Sequence, residues 1–397
     1  MSAAPALGDA WVAGHAGELR AIRRDLHAHP ELGRQEHRTT ALLMRRLELA
    51  GLRPRVLRCG TGVVCDIGTD ATPAGDGPLV VLRADIDALP LVDAKEVPYR
   101  STVPGVCHAC GHDVHTTVVL GAALALAELA LPGRVRVVFQ PAEELMPGGG
   151  LDVVAEGLVT GAKAVFALHC DPSLDVGLVG VRSGPITAAA DDLTIRLSGP
   201  GGHTSRPHNT VDLVQALSTL AVGLPAALSR LVDPRAGLSV VWGQVCAGSA
   251  ANAIPQDGLL RGTLRVLDPA AWAAAPALVE RLVGQLVAPY GAVADVGYQR
   301  GVPPVVNAPD ATALLTAATL AALGPGTVVP TAQSLGGEDF AWYLEAAPGA
   351  MARLGVRPPA DRPPVDLHQP AFDVDEACLA LGVRVLVATA AAALAAG

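Results

Sequence analysis

The sequence predicts an α/β protein: a larger domain with a mainly parallel mixed sheet between helices, plus an inserted ferredoxin-like α+β domain. Three observations predict it. Short apolar runs alternate with helical stretches through the first half of the chain. Near Gly184 the order changes to strand, helix, strand, strand, helix, strand. After about residue 297 the alternating texture returns.

Taken in order, residues 12–27 and 36–50 read as helices, the second stopping at Gly51. Apolar runs at 62–67 and 79–83 read as strands, and an Ala/Leu-rich helix follows at about 113–130. A strand at 135–140, a helix at 150–157 and a buried strand at 164–168 complete the first half. In the middle, 192–198 alternates, 210–230 is helical, and 238–245 and 258–266 read as strands. A helix at 270–288 and a strand at 292–298 finish the split βαβ arrangement. Helices at 309–322, 337–346 and 375–395 then flank a strand at 351–356, with a Pro-rich loop at 357–364. The expected division is a larger domain of 1–183 and 297–397, interrupted by 184–296.

Composition narrows the function classes. A chain of 397 residues is long enough for two or three domains. Half of it is apolar and 17% charged, which favours packed cores over disorder. With aromatics at 3%, those cores must rest on Ala, Val and Leu. The net charge of −9 argues against nucleic acid or an anionic membrane as partner, while leaving a small anionic substrate open. Arginine greatly outnumbers lysine, which occurs only as Lys95 and Lys163. The seven scattered cysteines do not read as a disulfide framework and fit a reducing, cytoplasmic setting. Residues 1–20 show neither the basic nor the continuous apolar region of a secretion signal. The apolar stretch 378–397 is interrupted by Arg384 and falls short of the roughly 20 residues a membrane span needs, so a packed helix is expected.

The densest chemical signal is Cys107-His108-Ala109-Cys110-Gly111-His112-Asp113-Val114-His115. Thiolate and imidazole are ligands that borderline and soft divalent metals prefer. Residues two apart do not share a helix face, so Cys110 and His112 converge only from a loop or turn, which Gly111 permits. Asp113 is then the expected N-cap of the following helix, whose positive end would favour a Cys110 thiolate and a neutral His112. Cys107 and Cys110 also have the spacing of a redox pair, and the cluster could be half of a structural zinc site. Redox exchange does not need the histidines, and a zinc ribbon would want a second Cys-x-x-Cys, which the chain lacks.

Three apolar runs empty into polar groups at their carboxyl ends: 79–82 into Arg83-Ala84-Asp85-Ile86-Asp87, 135–139 into Gln140-Pro141-Ala142-Glu143-Glu144, and 164–168 into His169. Open α/β sheets place ligands at that edge. Glu143 and Glu144 point different ways, so one can hold metal while the other serves as general base, although an acidic surface loop is the commoner fate of such a pair. Asp87 suits orienting a ligand better than binding metal, and Asp85 is less clear. Farther on come the glycine loop Gly199–His208 with His203, the segment Ala251–Pro255 with Asn252, Gly336–Phe340 opening a helix, and His368 in a Pro-bounded loop.

Together these segments resemble the M20 metallopeptidase superfamily, in its amidohydrolase branch of N-acyl-amino-acid, hippurate and indoleacetyl-amino-acid hydrolases. The matching stretches are His27–Leu32, Arg83–Pro90, His108–His115, Gln140–Glu144, Gly201–His208, Asn252–Pro255, Gly337–Phe340 and Leu367–Asp375, in the family's order over nearly the whole chain. The resemblance implies a metallohydrolase with two divalent metal ions, held by Cys110, His112, Glu144, His169 and His368, with Cys110 bridging. It implies Glu143 as general base, His203 as oxyanion stabiliser and Asn252 as a substrate contact. It further implies a lid and dimer surface in the inserted domain, hence a homodimer. The thiolate favours zinc, whereas the carboxylate and imidazoles would accept manganese, cobalt or nickel. Cys107 stands where the family has Met, and Thr204-Ser205-Arg206 and Leu145-Met146-Pro147 also depart from its pattern. Those departures bear on substrate choice. The expected reaction is amide hydrolysis of an N-acyl amino acid or related small amide. The alternatives are a dipeptidase or carboxypeptidase, a non-catalytic metal or ligand binder, and a thiol redox protein.

Overall fold

The computed structural model describes residues 4–68, 77–357 and 365–396. Apart from residue 357, the loop expected at 357–364 therefore lies outside the described residues. The chain divides into two compact units. One comprises residues 1–184, 306–332 and 339–397, and the other 185–305 with 333–338.

The larger unit is built on an eight-stranded mixed sheet. Its order is Arg55–Val56, Val63–Ile67, Arg134–Gln140, Leu79–Asp85, Ala162–Asp175, Gly349–Arg357, Val179–Val181 and Val328–Pro330. The four central strands run parallel, and antiparallel pairings flank them. Leu79–Asp85 is buried at every position, as expected of a strand covered on both faces. Helices Ala4–Ala28, His112–Ala127, Pro309–Leu323 and Ala377–Ala395 pack against one another. Their side chains share an apolar core with Val80, Leu82, Ala84, Phe166, Leu168, Ala352 and Leu354. Every residue of His112–Ala127 except Leu124 and Ala127 is buried. Such a helix has no polar face to show, which is why its sequence is apolar all round.

Ala377–Ala395 is long and apolar enough to cross a membrane, but its buried residues run from Cys378 to Leu394 within this core. Leu213–Leu231, in the smaller unit, passes the same test of length and composition. Each leucine or valine fully buried in this way contributes about 1.5–3 kcal/mol.

The smaller unit holds a four-stranded antiparallel sheet ordered Ser239–Ala247, Asp257–Val266, Ala189–Ser198, Val293–Val302. In chain order this is 2-3-1-4, the ferredoxin-like topology. Helices Leu213–Leu231 and Pro269–Val287 join Leu193, Ile195, Leu197, Leu260 and Leu264 in a second apolar core. Asp212 caps the first helix by accepting from Gln215 N at 3.2 Å, and Asp268 caps the second from Ala271 N at 2.7 Å.

Two expectations need correcting. The smaller unit ends at Val305 rather than 296, because its last strand runs on to Val302, pairing with Ala190 beyond a bulge. The helix expected at 337–346 begins only at Ala341. Upstream of it, Ser334 N donates to Ile186 O at 2.9 Å and Ala188 N donates to Ser334 O at 3.0 Å. That extended pairing holds residues 333–338 in the smaller unit.

Candidate metal centre

The parallel strands of the larger unit deliver their polar ends to one edge of the sheet. Asp85 and Gln140 end their strands, and Glu143 and Glu144 follow Gln140 directly; His169 lies within strand Ala162–Asp175, which runs on past the end expected at 168. The loop bearing Cys107 to Gly111 enters helix His112–Ala127 through Gly111, whose φ of 87° is left-handed and suits glycine. Gly111 is thus the N-cap, without a side-chain cap bond, and the expectation that Asp113 caps the helix is corrected. Asp113 is the second residue of the helix, buried, and turns instead to Arg23 Nε at 2.8 Å and His27 Nδ1 at 2.7 Å.

This geometry gathers ligand atoms. Cys110, His112 and His169 offer a sulfur and two ring nitrogens within 4.8 Å of one another, and all three residues are buried. Cys110 Sγ lies 3.7 Å from His169 Nε2. Cys110, Glu144 and His368 form an overlapping group, as do His112, Glu143 and Glu144. His368 Nε2 is 3.3 Å from Glu144 Oε1, and Glu143 Oε2 is 3.9 Å from His112 Nε2. All five proposed ligands and Glu143 therefore fall in one chain of overlapping groups.

Asp87 holds this group in place from behind. Its two carboxylate oxygens accept from Glu143 N at 3.1 Å and Glu144 N at 3.0 Å. Oδ1 is also 3.3 Å from His112 Nδ1, which faces the Asp87 carbonyl at 2.9 Å. One buried carboxylate therefore fixes a ring and the paired-glutamate backbone, leaving His112 Nε2 forward. His169 is fixed alike, its Nδ1 facing Cys170 O at 2.8 Å.

The electrostatics fit a cation. Burial pushes the Cys110 thiol well above its ordinary range, although His112 opposes the shift. Burial also holds His169 neutral, with help from Arg353 and His115. His112, against its burial, is pushed up by Asp85 and Cys110. Among the described residues, His112 Nε2 is buried without a hydrogen-bond partner, and Glu144 Oε1, also buried, has only the 3.3 Å contact to His368 Nε2. Leaving such atoms unpaired costs about 1–3 kcal/mol each. A divalent ion would satisfy both and deprotonate the thiol.

Asp85, whose role the sequence leaves open, has well-defined partners. It receives Arg83 Nη1 at 2.7 Å and His115 Nδ1 at 2.6 Å and so braces the helix, while with His112 and His115 it makes a further group of ligand-type atoms. Arg83 also donates to Asp339 at 2.6 Å, and Asp339 accepts from Gln140 Nε2 at 2.6 Å and Gly150 N at 2.8 Å. These residues tie the strand ends and the glutamate loop together. A charged residue inside an apolar strand was the signal for Arg83, but its partner 256 positions away had none.

His203 and Asn252 belong to the smaller unit. They are brought side by side by a short antiparallel pairing of Gly202–His203 with Ala253–Ile254, and both are exposed. Ser205 N donates to His203 Nδ1 at 3.1 Å, so that nitrogen is unprotonated and Nε2 carries the proton in the neutral ring.

The chain has relatives among known proteins. Peptidase family M20/M25/M40 matches residues 81–392. An N-acetyl-L-cysteine deacetylase of Bacillus subtilis is 38% identical over 365 residues, 91% of this chain and 85% of that protein. A putative glutamate–cysteine ligase 2-3 of Rhodococcus jostii is 49% identical over 366 residues; the match takes in 92% of this chain but only 45% of that protein's length. Among solved structures, a Bacillus subtilis protein described as a dinuclear metal-binding peptidase of the M20 family superposes with a TM-score of 0.84 at 33% identity, covering 97% of this chain and 99% of that one. The chain belongs to peptidase family M20/M25/M40, a family of hydrolases.

Proposed function

We propose that this chain hydrolyses the amide bond of N-acyl amino acids or closely related small amides, using two divalent metal ions. The observation that carries the reading is the convergence of Cys110, His112, Glu144, His169 and His368 around unsatisfied ligand atoms, with Glu143 beside them. The five would hold the ions, Cys110 being common to two of the overlapping ligand groups. When bound, such ions polarise a carbonyl oxygen and acidify water. The dinuclear description of the Bacillus subtilis neighbour and the deacetylase relative support this reading.

The chain's own residues supply the rest. Glu143, only 6% exposed, takes the proton from the attacking water and passes it to the leaving amine. Asp87 keeps Glu143 and His112 aligned through the contacts above. His203, with its proton on Nε2, is a ready donor to the oxyanion, and Asn252 beside it offers an amide to the substrate. Zinc or manganese suits the mixed thiolate, carboxylate and imidazole set best, with cobalt and nickel also compatible.

The reading includes a homodimer formed through the smaller unit. Its outer strands, Ser239–Ala247 and Val293–Val302, each have one unpaired edge within that sheet and expose Val241, Val245 and Val293. A cytoplasmic location is supported by seven free cysteines.

The test is metal analysis of the purified protein with a substrate panel of N-acetyl, N-benzoyl and long-chain acyl amino acids. Free-amine dipeptides serve as the comparison for a dipeptidase or carboxypeptidase. The reading expects about two ions per chain and hydrolysis of the acyl amino acids that a chelator abolishes. Absence of bound metal together with chelator-insensitive or absent hydrolysis would overturn it.

A further inference from the structure

The larger unit contains two buried arginines in the parallel strands of its sheet, Arg353 two residues further along than Arg83 by register, and they are treated differently. Arg83 meets Asp85, Asp339 and Gln140. The side chain of Arg353, a residue 9% exposed, has neither a hydrogen bond nor an ion pair to any described residue, and its nitrogens are not among the fully enclosed unpaired atoms, so an incoming ligand can reach them. A guanidinium is always charged, and burying one without a counter-charge is strongly unfavourable. A sequence that places one there gains from it only when something else supplies the anion.

The position of Arg353 indicates where that anion comes from. In strand Gly349–Arg357 the residues Ala350, Ala352, Leu354 and Val356 enter the apolar core, and in Ala162–Asp175 so do Ala164, Phe166, Leu168 and Cys170. By strand alternation Arg353 and His169 both project from the other face. They are register partners in the parallel pairing, which sets neighbouring strands about 4.8 Å apart. His169 in turn lies 3.7 Å from Cys110 Sγ. On the other side Arg353 faces Gly180, where a Cβ would come within 3.2 Å of Arg353 Cβ and 2.9 Å of Thr331 and Leu174 carbons. Glycine there leaves the arginine side chain its room. Arg353 is thus a lone buried cation one strand from a proposed metal ligand.

We infer that Arg353 is an anion subsite of the active centre, receiving a carboxylate of the substrate. This assignment rests on the reading of the chain as a hydrolase of N-acyl amino acids. Two carboxylates share the required chemistry: the α-carboxylate of the amino-acid part, and a terminal carboxylate on a diacid acyl group such as succinyl. A planar guanidinium holds either one through two parallel hydrogen bonds.

The test compares the metal-loaded enzyme with Arg353→Met and Arg353→Lys. Binding of succinate and of neutral succinamide is measured by calorimetry, and hydrolysis is followed for N-acetyl amino acids, their carboxamides, and N-succinyl amino-acid amides. Arg353→Met is expected to weaken succinate binding roughly 10- to 100-fold and to leave succinamide unchanged. KM should rise by a similar factor for whichever substrate carries the recognised carboxylate, while kcat changes little, and Arg353→Lys should recover part of the loss. A KM effect confined to the free N-acetyl amino acids assigns the α-carboxylate, and one confined to the N-succinyl amides assigns the acyl end. Because the wild-type charge is uncompensated, the Met variant should melt at or above the wild-type temperature. Unchanged succinate binding in Arg353→Met would overturn the inference, as would equal losses for charged and neutral probes. Failure of the wild-type enzyme to hydrolyse any acyl amino acid strikes the functional reading instead, and the succinate arm still decides the subsite.

Discussion

Two buried clusters of titratable side chains flank the loop from Cys107 to Asp113, and both contain a His, a Cys and a carboxylate close enough to hold a metal ion. One is the group around Cys110. The other joins His27, Asp93 and Cys107. In the second cluster the chain supplies its own cations. Lys95 Nζ lies 3.0 Å from Asp93 and 3.7 Å from Cys107 Sγ, and Arg23 Nε lies 2.8 Å from Asp113. His27 completes it as an imidazolium: despite burial, Asp113 and Asp93 push it up to about 9. In the first cluster the contacts of Glu144 and Cys110 are imidazoles. Ligand-type residues in reach of one another therefore do not define a metal site. What separates the two clusters is the kind of cation: the second carries Lys95 and Arg23, which keep their charge, whereas the first has imidazoles, which can give up a proton to a metal. The second is an ion network closed by its own side chains, and the first is the proposed metal centre.

The comparison breaks most sharply at Glu143. If only the Cys110 side is chemical, Glu143→Gln should lower the hydrolysis rate by about 10²–10⁴-fold while metal content stays the same. Steady-state kinetics and elemental analysis on the same preparation check this, and substantial residual activity would remove Glu143 from its role. The matching change on the other side is Arg23→Met, which leaves buried Asp113 without its main partner. Breaking a buried pair costs about 3–5 kcal/mol, so the urea midpoint should fall markedly. Folded protein should keep its metal stoichiometry, and loss of metal without loss of stability would contradict the division.

Asp87 tests the brace between the halves of the centre. Asp87→Ala removes the acceptor of Glu143 N and Glu144 N and the partner of His112 Nδ1. Supports of this kind are worth about 10- to 100-fold in metal affinity or activity. Competition with a chelating dye gives the number, and an unchanged affinity and rate would show that the loop holds its own shape.

How far the centre could be read in the sequence depends on whether a residue's signal was local. Cys110, His112, Glu143, Glu144 and His169 stood at the ends of apolar runs or in one tight motif, and periodicity located the strands and long helices that present them, although the strand carrying His169 continues to Asp175. His368 was reachable only through family resemblance, since nothing local distinguishes one loop histidine. Asp113 was misread because a first-turn acid has the signature of a cap, whereas its partners Arg23 and His27 lie about 90 positions earlier. The short strands Val179–Val181 and Val328–Pro330 went unseen, being shorter than any pattern of alternation. The late start of helix Ala341–Ala346 depended on Ser334 pairing with Ile186 and Ala188, again a distant contact.

His27 gives the comparison a pH signature. Its folded value is raised to about 9 from an ordinary 6.5. A raised histidine contributes stability that is fully present below about 6.5 and is lost as pH climbs through about 9. The loss expected over that window is on the order of 3 kcal/mol. Urea unfolding between pH 6 and pH 10 should show it, and His27→Gln should flatten that slope. A slope of the same size in the variant would assign the dependence elsewhere.

The smallest expected effect is at Cys107, and it separates hydrolysis from thiol redox chemistry. Cys107 is fully buried, and its sulfur faces Lys95, whereas the sulfur of Cys110 faces His169. A redox pair needs its two sulfurs to meet, but these two thiols are turned toward different clusters. Cys107→Ser keeps a polar group beside Lys95 and leaves every proposed ligand in place. Metal content and kcat/KM should therefore remain within about a factor of two, and stability within about 1 kcal/mol, as for a near-isosteric change of one buried contact. Hydrolysis lost with metal retained would place Cys107 in the chemistry and dissolve the boundary between the clusters. Hydrolysis kept would show that the boundary runs through the loop itself, between two cysteines three residues apart.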